Sequence, residues 1–395
     1  MATESLIFIV NPGSASRKYA LYSGGGKKAS LHFELVDDKV VGNLEYDGNK
    51  YSEKYDDGNL SNAPHRTMPL LYKYKVISDA DKISAIGIRI VAPNKQFTKD
   101  QLITDDAIKV LEDLCQKSPL HIKTALLEIK QLKIRFPDVP IIAISDSAFH
   151  ITKPDFASYY GIDTVVAKKL GVQRYGFHGI SVGSVVKHLE EKEILLPKTI
   201  ICHLGSGSSI TAVQNGKSVD TTMGYSPLEG LVMSTRSGSM DISAALAIKR
   251  GLDLSDSEIE EYLFKKSGLL GISGTSDDIR KLLISESKGD VRAKLALDIF
   301  VYRIQQAIGQ MSASMNGVNC LVFTGTVGER SAIIRGRILE RLEYLGLSSS
   351  LSVNKQTFEP IELANIADLS SKPVLVVPTD ESTEIARRTT EFCKQ

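Results

Sequence analysis

The sequence predicts an α/β fold with two domains built on one plan, and three observations lead to this prediction. The chain has 395 residues, a length that favours two or three domains over one. Short apolar runs typical of buried strands alternate with helical periodicity, which indicates a mixed sheet covered by helices. Residues 6–22 and 200–213 also share a plan, in which a buried strand, a Gly/Ser turn and a second apolar strand follow one another.

The spacing of this repeat, roughly 190 residues, is too long for a solenoid. We interpret it as two related domains that face each other across a cleft. A chance likeness between two Gly/Ser hairpins is the alternative.

Individual elements follow from local patterns. Unbroken apolar runs such as LIFIV and IIAIS are typical of buried strands, and turn residues at 37–38 and 47–49 divide residues 31–55 into hairpins. Ser255 and Glu258 have the spacing of a helix capping box. We predict strands at 6–10, 141–145, 199–204, 321–325 and 374–379, and helices at 104–118, 120–136, 181–193, 291–315 and 381–394.

Composition excludes several classes of protein. Hydrophobic residues make up 42% and charged residues 24% of the chain, which excludes a disordered or collagen-like protein. The 48 basic and 47 acidic residues leave a net charge of +1, so no overall field attracts nucleic acid or an anionic membrane. The four scattered cysteines are typical of reduced thiols. With no signal peptide and no run of about 18 apolar residues, we expect a cytoplasmic protein.

Two Gly/Ser turns, at 11–16 and 205–209, are the first candidates for a functional site. A tight turn after a buried strand directs backbone N–H groups and hydroxyls outward, where they can bind phosphate. Such hairpins are also common as plain structure. No GxxxxGK[ST] motif is present, which excludes a P-loop enzyme.

Charged residues supply the next candidates. Asp146 directly follows a buried strand, where α/β proteins gather their ligand sites, and it could hold Mg²⁺ or simply cap a turn. His178 lies in RYGFHG, although a single histidine is more often structural. Arg89 and Arg236 lie among apolar or small residues, and arginine suits a carboxylate or phosphate. The glycine-rich segments 267–280 and 323–330 are suited to enclose a nucleotide.

Taken together, these motifs resemble the acetate kinase (acetokinase) family along essentially the whole chain. The family's Asn-x-Gly-Ser-Ser-Ser-x-Lys turn reads NPGSASRK here, and its Arg-Tyr-Gly-Phe-His-Gly motif is intact at 174–179. The remaining matches are DSAFH at 146–150, HLGSGSS at 203–209, MGYSPLEGLVMSTRSG at 223–238, GLLGISG at 268–274, FTGTVGE at 323–329 and PTDE at 378–381.

The resemblance implies two ribonuclease-H-like domains of the actin-like ATPase type, flanking a nucleotide cleft. The first would comprise residues 1–147 and 381–395, and the second residues 148–380. It implies reversible, Mg²⁺-dependent phosphoryl transfer from ATP to acetate, giving acetyl phosphate and ADP, with propionate as a second acceptor. Mn²⁺ is an alternative metal, and a homodimer is the implied assembly.

The resemblance also assigns roles by position. The catalytic residues would be His178, Arg236, Arg89 and Asp146, and the substrate-binding residues Arg89, Val91, Leu120, Phe177 and Pro227. The nucleotide-binding residues would be His203, Gly205, Ser206, Gly207, Asp278, Ile279, Arg280, Gly325, Thr326, Gly328 and Arg330. Ser14, Ser16 and Lys18 would position phosphate, and Asn11, Asp146 and Glu381 would hold the metal.

Several positions depart from the family pattern. The segment IRIVAPN at 88–94 keeps the arginine but not its usual neighbours, and Ser206 and Arg330 each replace an asparagine. Three alternatives therefore stay open: a propionate- or butyrate-type kinase, a different phosphoryl donor, and a catalytically degraded nucleotide-binding protein. A sugar kinase or actin-like ATPase is disfavoured, because two arginines suit a carboxylate better than a neutral hydroxyl.

Overall fold

The chain forms two compact units. A computed structural model describes residues 5–13, 16–117 and 119–394, except for the side chains of 117–121. One unit comprises Met1–Ala148 and Asp380–Gln395, and the other comprises Phe149–Thr379. Within the described ranges, no helix is both long enough and apolar enough to cross a membrane.

The first unit is built on an eight-stranded sheet with the order β5-β4-β3-β2-β1-β6-β8-β7. Its strands are β1 Ser5–Pro12, β2 Ser16–Ser23, β3 Gly26–Val36, β4 Lys39–Tyr46, β5 Asn49–Tyr55, β6 Lys82–Ile90, β7 Gln101–Leu102 and β8 Ile141–Ser145. Its helices are α1 Ala63–Lys73, α2 Asp105–Lys117, α3 Pro119–Arg135 and α15 Glu381–Cys393.

The two halves of this sheet differ in how their strands are paired and buried. Strands β3 to β5 are antiparallel and alternate between buried and exposed side chains, as hairpins with one solvated face do. Strands β1, β6 and β8 are parallel and almost continuously buried. Helix α15 packs on β1 and β6, and Gly87 permits this approach, because a Cβ atom there would lie 2.0 Å from Thr389 Oγ1.

The second unit is built on a six-stranded sheet with the order β11-β10-β9-β12-β14-β13. Its strands are β9 Lys198–Leu204, β10 Ser208–Gln214, β11 Lys217–Thr221, β12 Cys320–Thr324, β13 Ala364–Asn365 and β14 Val374–Val376. Its helices are α4 Asp155–Ser158, α5 Thr164–Leu170, α6 Gly179–Glu191, α7 Ile242–Gly251, α8 Asp256–Lys265, α9 Gly268–Ser273, α10 Ile279–Ser287, α11 Val291–Ser314, α12 Gly325–Arg330, α13 Ala332–Leu339 and α14 Leu351–Gln356.

The two sheets share one topology. In the first unit β3, β2, β1, β6 and β8 lie in this order, and in the second β11, β10, β9, β12 and β14 repeat it. In both, an antiparallel hairpin leads into a run of parallel strands. The predicted α/β fold class with a duplicated plan is therefore confirmed. The capping box at Ser255 is confirmed as well.

Candidate active site

The carboxyl ends of three parallel strands gather polar side chains in the first unit. Asn11 lies at the end of β1, Arg89 at the end of β6, and Asp146 directly after β8. The backbone N–H of Asp146 donates to the carbonyl oxygen of Ile90 at 3.0 Å, which fixes this aspartate against the neighbouring strand. Glu381, the first residue of α15, reaches the same place.

These four side chains form one hydrogen-bonded chain. Arg89 Nη2 donates to Asp146 Oδ2 at 2.9 Å, and Arg89 Nη1 lies 3.4 Å from Asn11 Oδ1. Asn11 Nδ2 donates to Glu381 Oε2 at 2.7 Å. Burial alone would lower the pKa of Arg89, but the Asp146 and Glu381 carboxylates outweigh it and raise this pKa above its ordinary value. The guanidinium is therefore a permanent positive charge.

The donor set of this group fits Mg²⁺. Asn11, Asp146 and Glu381 offer amide and carboxylate oxygens, and Asp146 is fully buried. In the part of the chain that is described, no three His, Cys, Asp or Glu side chains cluster as a metal site. Mg²⁺ usually takes only one or two protein carboxylates and fills its remaining positions with water and phosphate oxygens. A set of two carboxylates and one amide agrees with this preference.

The other residues predicted for this part of the site lie on β2, directly after β6, or outside the described residues. Ser14 and the side chain of Leu120 lie outside the described residues. Ser16 begins β2, and Lys18 is exposed on that strand, paired in register with Asn11. Val91 follows β6 and is half-buried.

His178 lies at the equivalent edge of the second unit. It has a left-handed backbone, with φ of 61°, and immediately precedes α6. Its Nδ1 lies 2.9 Å from Ser209 Oγ, and its ring lies 4.3 Å from the ring of His203. His203 Nδ1 in turn lies 2.7 Å from Ser181 Oγ. Both imidazoles are held in place, but sequence patterns did not reveal the two supporting serines.

Three of the predicted residues meet at Gly207. A Cβ atom at this position would lie 3.2 Å from His178 Nε2 and 3.4 Å from Arg236 Nη1. Gly207 belongs to the second Gly/Ser turn, whose Gly205 N–H donates to the Gly207 carbonyl oxygen at 3.0 Å. The His178 ring and the Arg236 guanidinium thus flank a turn that the sequence predicts to bind phosphate. Because residue 207 is a glycine, the space between His178 Nε2 and Arg236 Nη1 stays open.

The residues predicted to line the acyl pocket are buried near these groups. Phe177 precedes His178 and is 1% exposed, and its carbonyl oxygen lies 2.9 Å from His150 Nε2. The Pro227 carbonyl oxygen accepts from Arg236 Nη1 at 3.3 Å. The structure therefore brings Phe177 and Pro227 next to the predicted catalytic pair.

Helix α12, Gly325–Arg330, begins beside the second Gly/Ser turn. Strands β9 and β12 are parallel neighbours, and a Cβ atom on Gly325 would lie 2.8 Å from the Leu204 carbonyl oxygen. Thr326 is exposed at the start of α12, and Gly328 is buried. Arg330 forms an ion pair with Glu359, so its side chain is directed to a neighbouring loop.

Asp278, Ile279 and Arg280 form the beginning of α10. Asp278 caps this helix by accepting the Arg280 N–H at 2.8 Å, and the two side chains form an ion pair. The Arg280 hydrogen bond lowers the pKa of Asp278. Ser234 links this region to the second Gly/Ser turn, because its N–H donates to the Ser206 carbonyl oxygen and its hydroxyl donates to the Asp277 carbonyl oxygen.

Comparison with known proteins identifies the family to which these groups belong. The family model described as "Acetokinase family" matches residues 6–387. The chain belongs to the acetokinase family. An acetate kinase of Clostridium botulinum (strain Langeland) is 38% identical over 394 residues, covering 98% of this chain and 99% of that protein. An acetate kinase of Methanosarcina mazei is 37% identical over 401 residues, covering 98% and 97%.

Solved structures of two carboxylate kinases match the acetokinase fold of this chain. A propionate kinase from Francisella tularensis superposes with a TM-score of 0.87 and 33% identity, covering 98% of this chain and 99% of that one. A Porphyromonas gingivalis acetate kinase superposes with a TM-score of 0.84 and 32% identity, covering 98% and 100%. The acetokinase family consists of phosphotransferases with a carboxyl group as acceptor, so the chain is a carboxylate kinase by descent.

Proposed function

We propose that this acetokinase-family chain transfers a phosphoryl group reversibly between ATP and acetate, giving acetyl phosphate and ADP. The observation that carries the proposal is the meeting of His178 Nε2 and Arg236 Nη1 at Gly207. A cation and an imidazole beside a phosphate-binding turn are the groups that phosphoryl transfer to an anion requires.

The chemistry explains these residue types. An acetate oxygen is already a nucleophile, so its attack on the γ-phosphorus needs no strong base. The new O–P bond forms while the bond to the bridging oxygen of ADP breaks, and negative charge spreads over the transferring group. The barrier is the approach of two anions. Positioned cations and hydrogen-bond donors lower this barrier most.

We assign the second unit's group to the transferring phosphoryl group. Arg236 offers a planar guanidinium, and His178 offers Nε2 while its Nδ1 lies beside Ser209. Glycine at 205 and 207 lets phosphate oxygens approach the turn backbone. Asp278, at the N-terminal end of α10, and Gly325, at the N-terminal end of α12, are assigned to nucleotide binding.

The first unit's group is assigned to the metal and the carboxylate. Asn11, Asp146 and Glu381 would hold Mg²⁺ directly or through water, and Mn²⁺ could replace it. The bound metal would neutralise phosphate charge. Arg89, kept charged by Asp146 and Glu381, would bind the acetate carboxylate. Val91, Leu120, Phe177 and Pro227 would limit the acyl chain to a short one, with propionate as a second acceptor.

The test is acyl-phosphate formation, trapped as hydroxamate. Acetate, propionate and butyrate would each be combined with ATP, GTP and pyrophosphate in the presence of Mg²⁺. We expect the fastest turnover with acetate and ATP. Faster turnover with butyrate or pyrophosphate would refute the assigned acceptor or donor. A folded sample that binds ATP and makes no product would indicate a degraded family member.

We also propose that the chain forms a homodimer in the cytoplasm. All four cysteines are free thiols, which agrees with a reducing compartment. The segment 151–170 of the second unit exposes an unusual number of apolar side chains, and a second copy would cover them. Their exposed fractions are 62% for Ile151, 90% for Phe156, 49% for Ile162, 73% for Val165, 48% for Val166 and 63% for Leu170.

A further inference from the structure

Residues 224–229 of the second unit form a loop, which we call the pocket loop because it carries the predicted pocket residue Pro227. Its first residue is attached by backbone hydrogen bonds. The Gly224 carbonyl oxygen accepts the N–H groups of Tyr175 at 3.0 Å and of Gly176 at 3.2 Å. One end of the pocket loop is therefore held against the chain that leads into the RYGFHG motif.

The other end of the pocket loop is held by side chains. Glu229, its last residue, forms an ion pair through Oε1 with Arg174 Nη1, and its Oε2 accepts the Tyr160 hydroxyl. Arg174 Nη2 also donates to the Thr221 carbonyl oxygen at 2.9 Å. The Tyr160 hydroxyl oxygen accepts the Tyr225 N–H at 2.8 Å. Both carboxylate oxygens of Glu229 thus have partners, and each partner has a second contact of its own.

The Glu229 carboxylate packs directly on the backbone at the beginning of the loop. A Cβ atom on Gly224 would overlap both Glu229 Oε2 and the Tyr160 hydroxyl oxygen, so only glycine permits this arrangement. Burial raises the pKa of Tyr160, and the Glu229 carboxylate raises it further. The hydroxyl therefore keeps the proton that it donates. The first and last residues of the pocket loop meet around one carboxylate.

This attachment connects two residues that are predicted to line the acyl pocket. Arg174 lies three positions before Phe177, and Glu229 lies two positions after Pro227. Pro227 itself lies between the two attached ends of the loop. The Arg174–Glu229 pair therefore restricts where Pro227 lies relative to Phe177.

Stability alone gives this pair little to do. The Arg174 and Glu229 side chains are 19% and 24% exposed, and an ion pair that water still reaches usually stabilises a protein only slightly. Its geometric effect is larger, because the pair and the Gly224 hydrogen bonds together close the pocket loop onto one short segment.

We propose that Glu229, together with Arg174 and Tyr160, is a positioning residue that sets the length of the acyl chain that the kinase accepts. The inference rests on the proposed function, because it assumes that Phe177 and Pro227 limit the acyl pocket. Glu229 acts through these two residues rather than through the reacting atoms. Without the ion pair, the pocket loop would move away from its partner segment and make room for a longer acyl chain.

Glu229→Gln tests the attachment directly. Glutamine keeps an acceptor for the Tyr160 hydroxyl but removes the carboxylate that pairs with Arg174. We expect Tm to stay within about 4 °C of the wild type, and amide hydrogen exchange in peptides spanning residues 224–229 to become faster. Unchanged exchange there would overturn the proposal, whatever the activity.

Acceptor selectivity separates a positioning role from a loss of stability. We expect kcat/KM for butyrate relative to acetate to rise roughly 10-fold in Glu229→Gln, the lower end of what one methylene is worth in an apolar pocket, with KM for ATP unchanged. Tyr160→Phe removes only a hydroxyl and should shift selectivity in the same direction by less. The matched control is Glu286→Gln, which removes a partly buried ion pair with Arg337 in the same unit.

Selectivity and exchange together distinguish this proposal from the proposed function. No shift in Glu229→Gln, or an equal shift in Glu286→Gln, would overturn the positioning role. If Glu229→Gln does not fold, the selectivity of Tyr160→Phe decides in its place. A wild-type protein that makes no acyl phosphate would refute the proposed function and with it the role in selectivity, while the exchange result would still show whether Glu229 holds the loop.

Discussion

Arg236 lies in surroundings that orient its guanidinium group. Nη1 lies 3.3 Å from the Pro227 carbonyl oxygen and 3.6 Å from Met233 Sδ, and the group lies 5.9 Å from the centre of the Phe264 ring. Gly268 leaves room for this segment, because a Cβ atom there would lie 2.8 Å from the Arg236 backbone nitrogen. These contacts restrict the orientation of the guanidinium plane. A side chain needed only for its charge would not require a fixed plane.

Arg236→Lys should therefore lose most of the activity. A lysine ammonium keeps the charge but cannot present two N–H donors in one plane. We expect kcat to fall by about 100-fold or more, the cost of losing one transition-state contact, with Tm nearly unchanged. Arg250→Lys, at an exposed position on α7, is the control. Near-normal turnover of Arg236→Lys would remove this residue from the catalytic role.

Gly207→Ala tests the space between His178 and Arg236. The added methyl group would lie 3.2 Å from His178 Nε2 and 3.4 Å from Arg236 Nη1, so it would push both groups and obstruct a phosphate oxygen. We expect kcat/KM for ATP to fall by roughly 10- to 100-fold. Gly251→Ala, at an exposed position on α7, is the matched control, since no atom lies within 4 Å of its added Cβ. Equal activities in the two variants would contradict the assignment of this turn.

Helices and strands whose sequence pattern lies within one segment were predicted well. The apolar run IIAIS at 141–145 coincides with β8, and the helix predicted at 291–315 is α11, Val291–Ser314. A fully buried strand or a long amphipathic helix is visible in its own residues. By contrast, β7 has only two residues and pairs with β8. Nothing within two residues predicts such a pairing.

The same distinction applies to the candidate site. Residues in compact motifs, such as His178 and Gly207, were predicted and do lie together within their unit. The supporting contacts were not predicted, because their partners are far apart in the chain. Arg174 and Glu229, for example, are separated by 55 positions. Only the folded structure shows which charged side chains meet.

Arg335 on α13 makes contacts of this kind, and it supports helix α12. It is fully buried and donates to five acceptors, among them the carbonyl oxygens of Gly328 at 2.8 Å and Glu329 at 2.9 Å. Burial lowers its pKa to about 10, so the side chain stays charged at neutral pH. Helix α12 is thereby tied to α14.

Arg335→Met should destabilise the second unit. The variant removes the donor of five hydrogen bonds, and we expect the free energy of unfolding to fall by about 3 kcal/mol. Urea unfolding followed by circular dichroism measures this change. Arg341→Met, at an exposed position just after α13, should change the free energy by less than about 0.5 kcal/mol. A loss in Arg335→Met no larger than in this control would contradict the supporting role.

The two units share one strand order, and each carries its own set of polar side chains. Each unit places its polar residues at the carboxyl ends of its parallel strands, where α/β folds gather ligands. In the first unit these residues are Asn11, Arg89 and Asp146. In the second they are His203 and the residues of the Gly/Ser turn that follows β9. Such a duplication lets each unit carry different polar groups on the same order of strands.

The proposed homodimer gives a prediction at the scale of the whole molecule. Analytical ultracentrifugation of the wild-type protein should give about twice the chain mass of 43.2 kDa. Phe156→Asp should shift the protein toward the monomer, because a carboxylate is costly to bury in an apolar interface. Phe358→Asp is the control, since Phe358 is also exposed but lies outside the segment 151–170. A wild-type chain that sediments as a monomer would contradict the proposal.

The proposed reaction requires that an acetate oxygen attacks the γ-phosphorus of ATP. Phosphorus NMR of the full chain incubated with MgATP and ¹⁸O-labelled acetate tests it most directly. We predict acetyl phosphate with ¹⁸O in the bridge between carbon and phosphorus, formed in step with ADP. ADP that appears together with inorganic phosphate, and without a labelled acyl phosphate, would contradict the claim.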